Sequence, residues 1–199
     1  MDRETRNYWR QQRRLNQRYN RPYRGGGTFS SAPVTIVLIG LMVLTTLIGQ
    51  VVPGWGFYLT ALPGGRLLLI LVSAVNPGSL LSLVFAGLFV WLLGSQLESM
   101  MTRWQYLLVF FASGIVGELL SGAVAGFGLG GSVAAFGLAG AYAFYLARSQ
   151  GSGPSMQWVL ILLLINVVFT GFNLAALLSM FGAFGTGLAV MAVTTQGRL

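Results

Sequence analysis

The chain has 199 residues, of which 55% are hydrophobic and 8% are charged, and its mean hydropathy is +0.73. A soluble domain carries roughly 25% charged residues, so this composition excludes a water-soluble monomer. At about 20 apolar residues for each crossing, the length suits one polytopic membrane domain and leaves no room for a second folded domain.

Two residue types with frequent catalytic roles are missing, since the chain contains neither Cys nor His, and all twelve cationic residues are Arg. The only acids are Asp2, Glu4, Glu98 and Glu118, which gives a net charge of +8. Without Cys there are no disulfides and no thiolate metal sites. Because His is the commonest general base near neutral pH and the commonest metal ligand, we expect no metal site and no cofactor.

Residues 1–32 form a polar, Arg-rich tail that ends in a Gly linker at 25–27. Arg close to a membrane span attracts anionic headgroups by about 1 kcal/mol for each residue. Aromatic residues among the Arg leave RNA contact as an alternative, and a cleaved presequence as another, but we expect no nucleic-acid partner. The candidate lipid-binding residues are Arg10, Arg13, Arg14, Arg18, Arg21 and Arg24.

Six apolar runs follow within a membrane domain at 33–195, and Pro, Gly and Asn separate them. The predicted spans are 34–53, 79–97, 105–125, 132–148, 156–172 and 174–194. The apolar stretch that follows Arg66 has only about ten residues, which is too short for a crossing. We therefore predict that residues 54–78 form one long irregular loop that dips into the membrane interface.

The distribution of Arg predicts the orientation of these spans. With six crossings, Arg103, Arg148 and Arg198 lie on the side of the tail, and Arg66 lies on the other side. Positive residues favour the cytoplasmic side, so we expect a multi-pass protein with both termini in the cytoplasm, in a bacterial inner membrane. The second, fourth and sixth spans then begin at one depth in the outer half of the membrane.

The fourth span begins with Gly130, Gly131 and Ser132 and has small residues along one face. Neighbouring helices can approach such a face closely, so we expect this span at the centre of the bundle. A Gly-rich loop that ends in Ser at the start of a helix could present a serine nucleophile, or it could simply cap the helix. The small residues of the face are Ala135, Ala139, Ala143 and Ala147.

Four groups of segments stand out in chain order. They are Trp91-Leu92-Leu93-Gly94 with Glu98; Tyr106-Leu107-Leu108-Val109-Phe110 with Ser113-Gly114; Gly130-Gly131-Ser132 with Phe136-Gly137-Leu138-Ala139-Gly140-Ala141; and Gly182-Ala183-Phe184-Gly185-Thr186-Gly187. Together they resemble the rhomboid family of intramembrane serine proteases. The first two groups are similar to its second and third spans, the third group to its Gly-x-Ser-Gly segment and the continuation of that segment, and the fourth to its sixth span. The resemblance implies an all-α bundle of six transmembrane helices.

The resemblance also implies where the family's catalytic residues would stand. Ser132 matches the nucleophile, and Met180 stands where the family has its catalytic His. Ser82 and Ala86 stand at the His and Asn that help to stabilise the oxyanion. Val133 replaces the last Gly of the Gly-x-Ser-Gly segment, where a β-branched side chain would crowd the approach of a substrate carbonyl.

A serine hydroxyl needs a base to take its proton, and losing one member of such a unit costs on the order of 10⁶ in rate. The chain has no His, Lys or Cys, and Arg stays protonated. Glu118 is the only carboxylate well inside a span, so a Ser–Glu pair is the one conceivable substitute. We therefore predict that the protein is not an enzyme.

Other residues are candidates for structural roles or for contact with client helices. Arg66 matches an Arg in the family's first loop, although Gly65 replaces the Trp that usually precedes it. Glu118 would serve either as a polar contact for a client helix or proton, or as a neutral group hydrogen-bonded between helices or reaching the headgroups. The full set is Glu98, Glu118, Arg66, Gly130, Gly131, Gly137, Gly140 and Gly182.

Two functions fit these observations. A catalytically inactive rhomboid-like protein would bind transmembrane helices of client proteins laterally, between its second and fifth spans, without cleaving them. A structural subunit of a larger membrane complex would use its exposed aromatic residues for packing. An active protease is a weaker alternative, and a transporter or channel finds little support. The aromatic residues in question are Trp158, Phe169, Phe181 and Phe184.

Overall fold

The computed structural model describes residues 32–125, 133–148, 154–169 and 173–196, and within these ranges it is helical with no strand. The tail Arg residues, Gly130, Gly131 and Ser132 lie outside the described residues. The helices are α1 (Pro33–Val51), α2 (Trp55–Thr60), α3 (Gly65–Ser73), α4 (Leu80–Met100), α5 (Arg103–Ala125), α6 (Ala134–Arg148), α7 (Pro154–Phe169) and α8 (Leu174–Gln196).

Each predicted span coincides with one long helix, and the boundaries agree within three residues. The all-α fold class is confirmed. Within the described ranges, α1, α4, α5 and α8 are long and apolar enough to cross a membrane. The described parts of α6 and α7 have 15 and 16 residues, so the count of six crossings stays a prediction.

The prediction of an irregular loop at 54–78 is wrong for α2 and α3, which are regular helices. Gly54 and Gly64 precede them with φ of 74°, a left-handed conformation that Gly adopts without steric cost. A Cβ on Gly65 would clash with the backbone carbonyl of Leu59, so the two helices meet closely. A helix satisfies its backbone hydrogen bonds internally, which an irregular apolar segment cannot do in lipid.

The chain returns from α3 to the bundle through a buried turn. The Thr45 hydroxyl of α1 donates to the Val75 carbonyl at 3.1 Å, and Ala74 packs against Gly114 of α5. Gly78, with φ of 77°, donates its N–H to the Asn76 side chain at 3.1 Å. The turn therefore fixes where α4 starts relative to α1 and α5.

The core forms where α5, α6 and α8 pack together without large side chains between them. A Cβ on Gly140 would clash with the backbone of Phe184, and a Cβ on Gly187 would clash with the backbone of Gly137. Gly137 also lies against the side chain of Ser113. The backbones of α6 and α8 therefore touch, as small residues allow in membrane helices.

The central position predicted for the fourth span is confirmed, because ten of the fifteen residues of α6 are buried. The predicted row of alanines is only partly right. Ala135, Ala139 and Ala143 are buried, but Ala147 is exposed. The closest approaches are made by glycines instead, because a glycine lets a neighbouring backbone come nearer than a methyl group does.

One end of the bundle is held together by polar groups, and we call it the anchor end. Its centre is Glu98, whose carboxylate accepts the N–H groups of Val34 and Thr35 at 2.8 and 2.9 Å. The Thr35 hydroxyl donates to the same carboxylate at 2.9 Å. Ala32 precedes α1 and has no side chain that could accept its first N–H groups. The carboxylate of Glu98, which belongs to another helix, accepts them instead and so acts as the N-terminal cap of α1.

A tyrosine and a glycine complete the anchor end. The Tyr106 hydroxyl of α5 lies 3.2 Å from the Thr35 hydroxyl and is buried with it. A Cβ on Gly94 would clash with the Tyr106 hydroxyl, so the lack of a side chain on Gly94 makes room for the tyrosine. The anchor end therefore joins α1, α4 and α5.

Candidate functional site

The opposite end of the bundle carries the residues that the family resemblance singles out, and we call it the site end. It is built around Gly117 of α5, where a Cβ would meet the Ser179 carbonyl at 3.0 Å and the Val133 side chain at 2.7 Å. Tyr106 precedes Gly117 by eleven residues, which is about 16 Å along a helix. The two ends of the bundle are therefore well separated.

The structure brings the neighbours of two predicted site positions together. Val133 follows Ser132, and Ser179 precedes Met180, and both neighbours lie against Gly117. The start of α6 and the first half of α8 therefore meet on one glycine of α5. Ser132 itself lies outside the described residues.

The third part of the site end comes from α4. The rings of Phe89 and Phe136 lie 5.7 Å apart between centroids, which places the first half of α4 beside the start of α6. Ala86 lies about one turn before Phe89 and is buried, but its methyl group offers no hydrogen-bond donor. The position that would hold an oxyanion donor is therefore apolar.

Ser82, the other predicted oxyanion position, lies in the first turn of α4. The Ser79 hydroxyl accepts the backbone N–H of Ser82 at 3.1 Å and donates to the Ser82 hydroxyl at 2.8 Å. Ser79 is thus the N-cap of α4, and the Ser82 hydroxyl is engaged in this local cap.

Met180 is 2% exposed and belongs to the hydrophobic core. Its thioether is at most a weak hydrogen-bond acceptor and does not act as a base. Its neighbour Ser179 and Ser113 of α5 are buried, and within the described residues neither hydroxyl has a hydrogen-bond partner. Neither hydroxyl was predicted to have a role, although Ser179 is a polar residue next to the position that matches the family's His.

The remaining predicted residues are scattered. Glu118 is 6% exposed and lies next to Gly117, at the site end. Gly182 of α8 packs against the Leu120 side chain. Arg66 is exposed in the first turn of α3, and Glu98 lies at the anchor end, where the structure gives it a structural role.

The site end contains few groups that could bind a ligand. Among the described residues, no three His, Cys, Asp or Glu side chains come together as a metal site would require. Val133 and Ala183 lie against Gly117, and Met180 and Ala86 are buried apolar side chains. This arrangement supports apolar packing and offers no group in the described residues that is suited to proton transfer, with the exception of the Glu118 carboxyl.

Comparison with known proteins agrees with this geometry. The family model described as Rhomboid domain matches residues 64–197, which include α3 to α8 and more than half of the chain. No curated protein matches the chain. The order of the helices, the glycine contacts between α5, α6 and α8, and this match lead to one conclusion: the chain belongs to the rhomboid family.

Proposed function

We propose that this rhomboid-family membrane protein binds transmembrane helices of client or partner proteins without cleaving them. The observation that carries the proposal is Met180, a buried thioether at the position that aligns with the family's catalytic His. A serine hydroxyl at Ser132 would therefore keep its proton and remain a poor nucleophile.

The remaining candidate base is Glu118. It lies beside Gly117, which contacts the neighbours of both catalytic positions, so its distance from the site does not exclude it. Imidazole is the commonest general base near neutral pH, however, whereas Glu118 is a single carboxyl buried in α5. We propose that Glu118 has a structural or client-binding role.

The structure supports a role in binding because the packing of the bundle does not depend on catalytic groups. The α5–α6–α8 contacts rely on glycines, and the anchor end relies on Glu98. Beside the site end, α4 exposes Leu81 and Val84, at 66% and 65%. A Cβ on Gly87 would meet no atom within 4 Å, so a client helix could approach this part of α4 closely.

We also propose where the protein lies and what else it binds. The family and the apolar helices show an integral, multi-pass membrane protein. The proposed orientation, with both termini in the cytoplasm of a bacterial cell, rests on the Arg distribution. Binding of anionic lipids by the tail is proposed on the same charge argument.

A second candidate function is that of a structural subunit in a larger membrane complex. The observation in its favour is Phe181 of α8, which is 55% exposed, together with the half-buried Phe184. The side chains of Trp158 and Phe169 lie outside the described residues. Exposed aromatic residues suit contact with a protein partner, although lipid contact explains them equally well.

Photocrosslinking in native membranes separates these functions. We would place a photoreactive amino acid at Val84 of α4. The matched control is Val193, a similarly exposed valine near the C-terminal end of α8, away from the site end. We expect several single-span proteins to be crosslinked at Val84 and not at Val193. One stoichiometric partner at either position would favour the structural subunit.

A fluorophosphonate probe on the purified protein tests whether the Ser132 hydroxyl is an activated nucleophile. The probe reacts with activated serines, so we expect no covalent adduct on Ser132 in the natural chain. An adduct that disappears in Ser132→Ala would overturn the proposal. If the adduct also disappears in Glu118→Gln, Glu118 would be the missing base.

The role of Glu118 has its own test. Glu118→Leu should leave the protein folded in detergent and reduce crosslinking at Val84 if the carboxyl contacts clients. Loss of folded protein in this variant would instead assign Glu118 to the structure of the bundle.

A further inference from the structure

Two cationic side chains of the helical bundle have no role in the site or in the anchor network. Arg103 begins α5 and Arg148 ends α6, and both are exposed. We infer that these two residues, the Arg pair, bind the phosphate of an anionic phospholipid between α5 and α6. Such a site is separate from the tail and independent of client binding.

The packing of α5 against α6 places the two Arg at one level. The end of α5 packs against the start of α6, so the two helices are antiparallel, and Ser113 lies against Gly137. Arg103 precedes Ser113 by ten residues and Arg148 follows Gly137 by eleven, which are about 15 and 17 Å along a helix. The Arg pair therefore lies at the anchor end, where Tyr106 is in the turn next to Arg103.

Both Arg also start from the faces on which the two helices meet. Arg103 precedes Gly114 by eleven residues, and Arg148 follows Gly137 by eleven, which is about three turns in each case. A Cβ on Gly114 would lie 3.2 Å from the Ala134 side chain of α6, and Gly137 packs on α5. The two side chains therefore begin on the facing sides of α5 and α6.

An aromatic ring holds Arg148 beside the bundle. The guanidinium carbon lies 6.0 Å from the ring centroid of Phe144, which is the reach of a cation–π contact. Phe144 itself is half-buried and packs against the hydrophobic core. A ring does not occupy the N–H donors of a guanidinium as a carboxylate would, so these donors stay available for a phosphate.

No carboxylate in the described part of the chain neutralises the Arg pair. The acidic residues there are Glu98 and Glu118, and neither forms a salt bridge with Arg103 or Arg148. Glu98 accepts hydrogen bonds from the start of α1, and Glu118 lies at the site end. Two cations at one level repel each other unless a negative charge lies between them.

An anionic phospholipid supplies this charge at the right depth. Trp104, next to Arg103, is 82% exposed, and exposed Trp at the start of a spanning helix marks the level of the headgroups. Basic pockets between membrane helices bind phosphate headgroups of this kind. A zwitterionic lipid fits less well, because its ammonium group adds a third positive charge.

Photocrosslinking to lipid tests the site on the full chain, in nanodiscs that contain phosphatidylglycerol and phosphatidylcholine in equal amounts. A photoreactive amino acid replaces Trp104, beside the Arg pair, or Leu119, an exposed residue of α5 at the site end. Mass spectrometry of the adducts gives the ratio of the two lipids at each position. One Arg near a membrane surface favours an anionic headgroup by about fivefold, so we expect the ratio at position 104 to exceed that at position 119 by at least about fivefold.

Three double variants locate the charge that is responsible. Arg103→Gln with Arg148→Gln should lower the ratio at position 104 to that at position 119. Arg103→Lys with Arg148→Lys should keep most of the enrichment, because Lys binds phosphate as a point charge. Arg13→Gln with Arg14→Gln removes the same charge from the tail and should lower the ratio less. Thermal unfolding in detergent checks that each variant is folded.

Several results would overturn the Arg pair as a lipid site. One is an equal lipid ratio at positions 104 and 119 in the natural chain. Another is an enrichment that survives Arg103→Gln with Arg148→Gln, or that falls only in the tail variant, which would assign the lipid to the tail. The enrichment should also persist in an excess of inorganic phosphate, and its loss would show that the Arg pair binds free phosphate and not a lipid.

Discussion

The two ends of the bundle treat polar groups in opposite ways. At the anchor end, Glu98, Thr35 and Tyr106 form a partly buried network in which a carboxylate caps a helix. At the site end, Met180 and Ala86 occupy the positions where the resemblance places polar catalytic groups. We therefore expect substitutions of the anchor-end polar groups to lower stability more than substitutions at Ser132.

The largest effect is expected when a general base for Ser132 is introduced at the site end. Met180→His combined with Val133→Gly supplies an imidazole and removes the side chain that packs on Gly117. We expect the fluorophosphonate adduct on Ser132 to rise from none to a readily detected level, because imidazole is a competent base near pH 7. The measurement is mass spectrometry of the labelled protein.

Two controls accompany this restoration. Adding Ser132→Ala should abolish the adduct, and Met180→Leu with Val133→Gly should not form it. An unlabelled but folded Met180→His, Val133→Gly variant would contradict the alignment of Met180 with the catalytic His.

The next largest effect is expected at the anchor end. Glu98→Ala removes three hydrogen bonds and the negative charge at the start of α1, so we expect the free energy of unfolding to fall by about 3 kcal/mol. Thermal unfolding in detergent measures the change. Ser99→Ala, at an exposed position on the same helix, should unfold like the natural protein. Equal stability of the two variants would show that the hydrogen bonds of Glu98 do not stabilise the anchor end.

A smaller loss is expected where Gly94 makes room for Tyr106. Gly94→Ala should lower the free energy of unfolding by about 2 kcal/mol, because the new methyl group overlaps the tyrosine hydroxyl. Combining it with Tyr106→Phe should recover most of this loss in a double-mutant cycle. Gly87→Ala is the matched control, since its Cβ meets open space, and it should cost nothing. Additive losses for Gly94 and Tyr106 would show that the two do not touch.

The smallest effect is expected for Ser132→Ala, which should change neither cleavage assays nor stability in a measurable way. Without a base, the hydroxyl contributes no catalysis that the substitution could remove. Incubation with labelled single-span substrates measures cleavage. A product formed by the natural chain and lost in the variant would show that the site end keeps its chemistry.

The sequence was a good guide to the long helices and a poor guide to the segment at 54–78. An apolar run of about 20 residues satisfies its backbone in lipid only as a helix, so the limits of α1, α4, α5 and α8 could be predicted from hydropathy. The short helices α2 and α3 were missed because ten apolar residues do not distinguish a short helix from an irregular interfacial segment.

The candidate site was predicted in part. The resemblance related Ser132, Met180 and Ala86 to catalytic positions, and the structure brings the neighbours of the first two together at Gly117. The role of Gly117 and the buried Ser179 was not foreseen. Glycines are common in membrane helices, so one glycine in a sequence does not reveal which helix it touches.

The sequence by itself determined that this protein lies in a membrane, that it is helical, and that it has no His, Lys or Cys to serve as a base, because these follow from composition and local patterns. Only the tertiary structure decided that Glu98 caps α1, that Gly94 accommodates Tyr106, and that α4 has a π-helical segment. Glu98 and its partners are more than 60 residues apart in the chain. Such contacts depend on how whole helices pack, which no local pattern encodes.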